Sequence, residues 1–256
     1  MAQEAERPSA HLFDFELKLA QNKKEIDLAL KLRHEVFLQE LCSEVHPAQE
    51  DALEADEYDS FCDHLIVIDK VIGKVVGTYR LILGSRVSKE LGFYSEKVFD
   101  IRAIKALAAD YEICELGRSC VHKDYRSRHV INLLWSGIGE YVRDNNIRYL
   151  FGAPRLSTND PLEVSRIFKF MQEKLYAPEK YRVLPKSGHA IKGLRSDITI
   201  PSSREVLHTL PPLIKGYIRA GIVVCGPPAV NPLGAVVIFA MLDIEKLPPS
   251  YKQHYL

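Results

Sequence analysis

The sequence predicts a domain of the α/β (α+β) class, with a mixed central sheet flanked by helices. Short runs with the alternating or continuous apolar pattern of strands are interspersed with runs in which apolar residues recur every three or four positions, as in helices. The 256 residues, 46% of them hydrophobic, suffice to bury a sizeable core. We expect a disordered leader at residues 1–10 and a single domain at residues 11–256.

The first predicted elements are a strand and a helix. Residues 11–20 alternate well enough to form the strand. Asn22 and Glu25 have the spacing of a capping box, which predicts that a helix begins here and extends over residues 23–41. Arg33 falls on the apolar stripe of this helix, so its charge is expected to point toward a core.

An acidic loop is predicted over residues 42–62, in which we expect the carboxylates of Glu50, Asp51 and Glu54 to be solvated. Two strands follow over residues 65–69 and 75–83, and a short glycine-containing turn joins them. The next segment is mixed and is predicted to contain a helix that ends near residue 109.

The strand predicted over residues 111–121 carries two charged residues of opposite sign. Regular alternation places Glu115 and Arg118 on opposite faces of this strand. They can act together only if the strand is distorted between them, and Gly117 is where a bulge would be tolerated. Apolar residues bracket Glu115, which favours a buried, functional carboxylate over a strand-edge glutamate in solvent.

The second half of the chain begins with a basic loop, residues 122–129, that opens onto a helix. Later elements are predicted in the following order: a helix over 128–144, a strand over 148–153, a helix from 161, a weak strand over 181–184, a helix over 211–220, and strands over 222–224 and 235–242. The apolar stripe of the first of these helices is expected to contain Ile131, Leu134, Trp135, Ile138 and Val142.

Composition excludes several classes of function. The 34 basic and 34 acidic residues give a formal net charge of zero, so nucleic acid is not an expected partner. The five cysteines show neither a Cys-x-x-Cys motif nor a metal-type spacing with histidine, which predicts reduced thiols in a cytoplasmic protein and no metal site. No signal peptide is visible and no apolar run is long enough to span a bilayer, so a membrane would be met only from its surface.

Charged residues stand at ordered positions within or beside apolar segments, where a charge is costly unless it is paired or used. They are Arg33, then Asp56, Asp59 and Asp63, then Glu115 and Arg118. Together with Phe37, this set resembles the pattern shared by acyl-homoserine-lactone synthases and the L-ornithine Nα-acyltransferases of ornithine-lipid synthesis, both of the GNAT-type acyltransferase fold.

Three further stretches resemble the L-ornithine Nα-acyltransferases in particular. They are Asp63–Val67, the Tyr125-Arg126 pair with Leu133–Gly137 and Tyr141-Val142, and the segment Pro211–Gly221. The chain departs from the pattern in two places: residues 126–130 lack the glycines of the GNAT donor loop, and residues 231–234 stand where that family usually has an acidic residue. The resemblance makes residues from about 180 to 256 a family-specific extension.

The resemblance implies an acyl-carrier-protein-dependent N-acyltransferase. A fatty acyl chain, often 3-hydroxylated, would pass from acyl carrier protein to the α-amine of an amino acid, most simply L-ornithine, to give a lyso-ornithine lipid. The acyl carrier protein thioester would be a co-substrate, with no bound cofactor. The enzyme would act in the cytoplasm, with peripheral attachment to the inner face of the cell membrane left open.

Each chemical requirement of this reaction has candidate residues. Glu115 is the expected base for the ammonium of the acceptor. Arg33 and Arg118 either bind the acceptor carboxylate bidentately or serve as internal counter-ions, and both roles can hold at once. Asp56, Asp59 or Asp63 would pair with a side-chain ammonium. Phe37 is either a core residue or part of an acyl tunnel.

The basic loop is the candidate site for the phosphopantetheine group of the donor, because a helix N-terminus follows it. Its basic and aromatic residues suit the acidic surface of acyl carrier protein; they are Lys123, Tyr125, Arg126 and Arg128. The alternative is a solvated basic turn.

Two alternative functions stay open at this point. The first is an N-acyl amino acid synthase that uses another acceptor, such as glycine, lysine or tyrosine. The second is a GNAT-like module without catalytic activity that binds acyl carrier protein or lipid. The missing glycines in the basic loop favour the second alternative slightly, and Glu115 with Arg118 argues against it.

Overall fold

The structure, a computed structural model, describes residues 14–40, 52–126, 128–200 and 202–256. These residues divide into two compact units. The first unit contains the described residues within 1–55, 64–79 and 120–137, and the second contains those within 56–63, 80–119 and 138–256. The predicted leader and most of the first half of the acidic loop lie outside the described residues.

The described strands are β1 (Phe15–Leu19), β2 (Asp63–Asp69), β3 (Lys74–Leu83), β4 (Phe99–Asp100), β5 (Glu112–Val121), β6 (Ile147–Gly152), β7 (Leu184–Pro185), β8 (Val223–Val224), β9 (Ala229–Val230), β10 (Val236–Val237) and β11 (Ala240–Asp243). The described α-helices are α1 (Lys23–His34), α2 (Arg102–Lys105), α3 (Arg128–Asp144), α4 (Pro161–Lys174), α5 (Ser203–Thr209), α6 (Pro212–Ala220) and α7 (Pro249–Tyr255).

Seven of these strands form one sheet, in the order β1-β2-β3-β5-β6-β11-β8. The sheet is mixed, because β5 pairs in parallel with β6, whereas β6 pairs antiparallel with β11 and β1 pairs antiparallel with β2. The α/β class and the mixed sheet predicted from the sequence are therefore confirmed.

In the first unit, α1 begins where the sequence predicts, because the side chain of Asn22 accepts a hydrogen bond from the backbone of Glu25. The α-helix ends at His34, and Glu35–Glu40 form a π-helical turn. The sequence predicts a single helix over 23–41 and does not indicate this change. The unit buries apolar residues from α1, the π-helical turn and the sheet: Ala29, Leu32, Val36, Ile66, Val75 and Cys120.

The second unit has a core rich in aromatic rings beneath β5 and β6. Phe151 of β6 packs edge-on against Phe93 at 5.0 Å and stacks on Phe239 at 5.5 Å, measured between ring centroids. Gly152 ends β6 at a point of close approach, because a Cβ atom there would lie 2.4 Å from the carbonyl oxygen of Leu116 in β5. Glycine at this position therefore allows β6 to approach the middle of β5 closely.

Several predicted elements need correction. Residues 181–184 do not form a strand of that length: a 3₁₀ turn ends at Tyr181 and a two-residue strand, β7, follows. Helices α5 and α7 were not predicted. In α3 the predicted stripe is shifted at its start, since Ile131 is exposed and Val130 is fully buried in its place. By contrast, α4 begins as predicted, capped by the side chain of Asp160.

Within the residues that the structure describes, no helix is both long and apolar enough to cross a membrane. The same residues contain no group of three or more histidine, cysteine or acidic side chains arranged to hold a metal ion.

Candidate active site

Glu115 lies in the middle of β5 with its carboxylate withdrawn from water, at 2% exposure. Three donors from the 3₁₀ turn Tyr94–Lys97 hold it. The backbone N–H of Tyr94 donates to Oε2 at 2.7 Å, the backbone N–H of Ser95 donates to Oε1 at 2.9 Å, and the hydroxyl of Ser95 donates to Oε1 as well. Each bond is charge-assisted when the carboxylate is ionised.

Burial raises the pKa of Glu115, because a charge loses its hydration in the protein interior. The hydrogen bonds from Ser95 and Tyr94 and the positive charge of Arg80 act in the opposite direction without cancelling the effect. A carboxylate whose pKa is raised binds a proton more readily at physiological pH, which suits a group that must accept one during turnover.

Arg118 reaches the same side of β5 as Glu115 because the backbone is distorted between them. Arg118 itself has φ of 47°, a left-handed conformation that is uncommon for a residue other than glycine. Its guanidinium stacks 4.5 Å from the ring centroid of Tyr94 and donates to the hydroxyl of Tyr94 at 3.4 Å. The sequence predicts the distortion at Gly117, and the structure has the unusual backbone angle one residue later, at Arg118. Such outliers cluster at functional sites.

Asp56 and Asp59 are held by two arginines. Nη1 of Arg80 lies 2.5 Å from Asp56 and 3.0 Å from Asp59, and Nη2 of Arg118 lies 3.0 Å from the other oxygen of Asp56. The two aspartates also cap a 3₁₀ turn: Asp56 accepts from the backbone of Tyr58, and Asp59 accepts from the backbone of Asp56. The charges of the two arginines and the two aspartates sum to zero. An ionised Glu115 therefore gives this group of five side chains a net charge of −1.

Two tyrosine rings line this charged cluster. Tyr58, 1% exposed, packs edge-on against Tyr94 at 5.4 Å, and the guanidinium of Arg80 lies over both rings. The ammonium of Lys97 also lies over both rings and pairs with Glu57 at 2.6 Å. Cation–π contacts of this kind fix the orientation of the cations. Burial raises the pKa of Tyr58 to about 12, so its ring stays neutral.

Other residues in the predicted set have different surroundings. Arg33 belongs to the first unit, is fully buried and pairs with Glu54 at 2.5 Å. The prediction of a solvated Glu54 is therefore wrong, because a buried guanidinium requires a counter-ion. Asp63 accepts hydrogen bonds from Arg86 and from the hydroxyl of Tyr141.

Phe37 lies in the π-helical turn of the first unit and is partly buried. Its side chain packs against the unit's apolar core, which matches the core alternative considered from the sequence. A role for Phe37 in an acyl tunnel stays a prediction.

The basic loop belongs to the first unit and forms a 3₁₀ turn at Lys123–Tyr125. His122 anchors its start through a 2.8 Å contact with Glu35, and the hydroxyl of Tyr125 donates to Asp69 at 2.9 Å. Lys123 and Arg126 are exposed. The loop runs directly into α3; the predicted N-cap Ser127 and the side chain of Arg128 lie outside the described part of the chain.

Several residues of the site, among them Arg80, Tyr94 and Ser95, were not among the sequence candidates. Arg80 interrupts the apolar strand β3, so the criterion that singles out Glu115 and Arg33 applies to it equally. Tyr94 and Ser95 contact Glu115 mainly through backbone N–H groups, which every non-proline residue has. No residue-type pattern identifies such a contact across a separation of 20 residues.

The fold and the buried acid–arginine site define a class of protein. A mixed sheet in which a long strand leads through a loop into a helix is the framework of a GNAT-type acyltransferase. The family model described as "Acetyltransferase (GNAT) domain" matches residues 32–136. FeeM, an N-acyl amino acid synthase from uncultured soil microbes, has the same fold, with a TM-score of 0.54 at 10% identity over 92% of this chain and 94% of its own.

Proteins of similar sequence identify the family within this class. The L-ornithine N(alpha)-acyltransferase of Brucella abortus is 31% identical over 94% of this chain and 88% of its own length. That of Agrobacterium fabrum is 30% identical over 99% of this chain and 89% of its own. The chain belongs to the L-ornithine Nα-acyltransferase family and is an N-acyltransferase, which excludes the non-catalytic alternative. An enzyme of this kind takes an acyl donor and an amino-acid acceptor as substrates.

Proposed function

We propose that this enzyme transfers a 3-hydroxylated fatty acyl chain from acyl carrier protein to the α-amine of L-ornithine, giving a lyso-ornithine lipid. The observation that carries the proposal is the buried carboxylate of Glu115 beside the arginine-bearing kink of β5. Ornithine as the acceptor is supported by the names of the relatives, which match this chain over nearly its whole length.

Glu115 serves as the base in this proposal. The acceptor arrives as an ammonium ion, whose proton must be removed before nitrogen can attack. The nitrogen loses two protons in all. The first passes to Glu115, the amine attacks the thioester carbonyl, a C–N bond forms and the C–S bond breaks. Glu115 returns this proton to the departing thiolate, whose pKa is about 8.5, and the second proton passes from the nitrogen to water as the amide forms. No covalent enzyme intermediate is needed, and buried Cys114 and Cys120 serve as packing residues.

The proposed donor site follows β5 into the basic loop. The pairing of β5 with β6 extends from Glu112↔Ile147 to Glu115↔Phe151, whereas β5 continues to Val121. We assign the phosphopantetheine arm to the part of β5 beyond this pairing, and the N-terminus of α3 suits its single phosphodiester. Lys123 and Arg126 supply positive charge for the acidic surface of acyl carrier protein.

The acceptor carboxylate is assigned to Arg118, whose guanidinium is 17% exposed and lies on the same side of β5 as the proposed base. Asp56 and Asp59 already balance two arginines, so they are less suited to a side-chain ammonium than the sequence suggests. This favours a second candidate function, the N-acylation of an amino acid with a neutral side chain.

One experiment decides between the acceptors. Purified enzyme is incubated with 3-hydroxyacyl carrier protein and each of ornithine, lysine, glycine and tyrosine, and products are identified by mass spectrometry. We expect the N-acyl product of ornithine to form fastest. Faster acylation of glycine or tyrosine would establish the second candidate, and no N-acyl product with any acceptor would refute both.

Peripheral attachment to a membrane also stays a proposal. Its candidate is α6, on which Lys215 and Arg219 flank apolar residues. Ile214 of α6 is fully buried, however, and Ile218 packs against the apolar cluster that contains Ile214, which is the pattern of an ordinary packed helix. Sedimentation with anionic vesicles tests attachment directly.

A further inference from the structure

Among the described residues, Ser95 makes two of the three hydrogen bonds that the Glu115 carboxylate accepts. It is 1% exposed, and both its backbone N–H and its hydroxyl donate to Oε1 of Glu115. The third bond, from the backbone of Tyr94, goes to Oε2. The two oxygens of the carboxylate are therefore bound unequally, by one residue on one side and by its chain neighbour on the other.

The meaning of this unequal binding follows from the number of hydrogen bonds that each carboxylate oxygen can accept. A carboxylate oxygen accepts about two hydrogen bonds in its plane. Among the described residues, Ser95 fills both positions on Oε1, and Tyr94 fills one position on Oε2. One acceptor position is left on the whole group, and it belongs to Oε2.

We propose that Ser95 is a positioning residue of the acylation reaction, whose hydroxyl occupies the second acceptor position of Oε1 in Glu115, so that Oε2 alone receives the proton of the acceptor amine. This inference rests on the proposed function of Glu115 as the base. The backbone donors fix where the carboxylate lies. The hydroxyl, which a substitution can remove, fixes how strongly the ionised form is favoured.

Other groups that act on Glu115 must stay unchanged for a test to report on Ser95. Arg80 on β3 favours the ionised form of Glu115. Arg118 on β5 lies over the ring of Tyr94, whose backbone N–H donates to Glu115. Three neutral groups interact with its charge as well: Tyr58, Cys62 and Cys114. Burial raises the pKa of both thiols, so none of the three gains a charge near neutral pH.

The test is the pH dependence of kcat for Ser95→Ala at saturating donor and acceptor, where titration of the free amine does not enter. Removing the hydroxyl removes a donor to the ionised carboxylate, so Glu115 keeps its proton to higher pH. We expect turnover on the acidic side of the optimum to fall about tenfold and to recover as the pH rises. A profile of unchanged shape, whether or not kcat is lower throughout, would overturn the proposal.

Two controls separate this result from other effects. Ser165 is equally buried, and its hydroxyl donates to the backbone oxygen of Pro161 in α4, so Ser165→Ala should leave the pH profile unchanged. Glu115→Gln tests the base role on its own. If Glu115→Gln retains wild-type turnover, the proposed function of Glu115 fails. If only the shift in Ser95→Ala is absent, the role of Ser95 fails and the base role stands.

Discussion

At the scale of single residues, the carboxyl group proposed as the catalytic base, that of Glu115, also affects the stability of the fold. The folded protein withdraws it from water and raises its pKa, while the unfolded chain returns it to water. The folded state therefore holds this proton more tightly than the unfolded state does. The contribution of the group to stability is full below its unfolded pKa and is lost as the pH rises through its folded pKa.

This gives a prediction for the pH dependence of folding. Glutamine cannot ionise, so the free energy of unfolding of the wild type, relative to Glu115→Gln, should decrease as the pH is raised from about 4 toward neutrality. Urea titrations of both proteins across this range measure the difference. A difference that is constant, or that increases with pH, would show that the pKa of Glu115 is not raised by folding.

Arg80 provides a second prediction at this scale. Replacing it with methionine leaves two poorly exposed aspartates, Asp56 and Asp59, without their shared counter-ion. Removing one partner from a buried charge network costs about 3–5 kcal/mol of stability. Chemical denaturation of Arg80→Met should show a loss of this size.

The matched control for Arg80→Met is Arg102→Met. Arg102 also pairs with an aspartate in the second unit, but it is exposed and its ion pair is solvated. Its replacement should leave the denaturation midpoint close to that of the wild type. Equal losses in the two variants would mean that burial does not set the cost.

The residue scale also shows how far sequence reasoning reaches. The burial of Glu115 and Arg33 follows from charges placed within apolar segments, and Arg80 was open to the same reasoning. The role of the Ser95 hydroxyl could not be predicted in this way, because only the folded chain brings residues 94 and 95 to β5. For Glu54 the sequence reasoning was wrong. Its acidic neighbours in the sequence predict a solvated side chain, but it pairs with the buried Arg33.

At the scale of elements, glycine positions in helices distinguish close packing from open space. Gly139 lies in α3, and a Cβ atom there would lie 1.7 Å from the backbone oxygen of Tyr255 in α7. Gly216 lies in α6, where a Cβ atom would meet nothing within 4 Å. Both are interior helix positions, so they form a matched pair.

We expect opposite effects from the same substitution at these two positions. Gly139→Ala should destabilise the protein by about 1–3 kcal/mol, because a backbone atom must shift. Gly216→Ala should stabilise it by about 0.5–1 kcal/mol through helix propensity. Thermal denaturation of both variants measures this, and stabilisation by Gly139→Ala would contradict the packing of α7 on α3.

Elements with strong local patterns were predictable, and elements without them were not. The caps at Asn22 and Asp160 fix the starts of α1 and α4 in the sequence itself. The short helices α5 and α7 have seven residues each, too few for a clear periodicity. The π-helical turn after α1 was not predicted, and the sequence places the distortion of β5 at Gly117, one residue before the positive φ of Arg118.

At the scale of the whole molecule, the proposed function requires a macromolecular donor. The exposed Lys123 and Arg126 carry the expected attraction for an acidic carrier protein, which acts mainly on the rate of encounter. Reversing both charges should therefore reduce kcat/KM for the carrier-bound donor on the order of tenfold at low salt, and less at high salt.

A small thioester donor separates this effect from damage to the site, since its use should be little changed in the same variant. Lys192→Glu is the control, because it reverses an exposed charge elsewhere, in the second unit. If the loop variant and the control lose equal activity with the carrier-bound donor, the basic loop is not the docking surface.

The most direct test of the account is the turnover of Glu115→Gln with saturating acyl carrier protein thioester and ornithine. Loss of the base should lower kcat by about two to four orders of magnitude, while binding of the carrier, measured separately, stays at the wild-type level. Turnover close to that of the wild type would contradict the claim that Glu115 removes the proton from the acceptor amine.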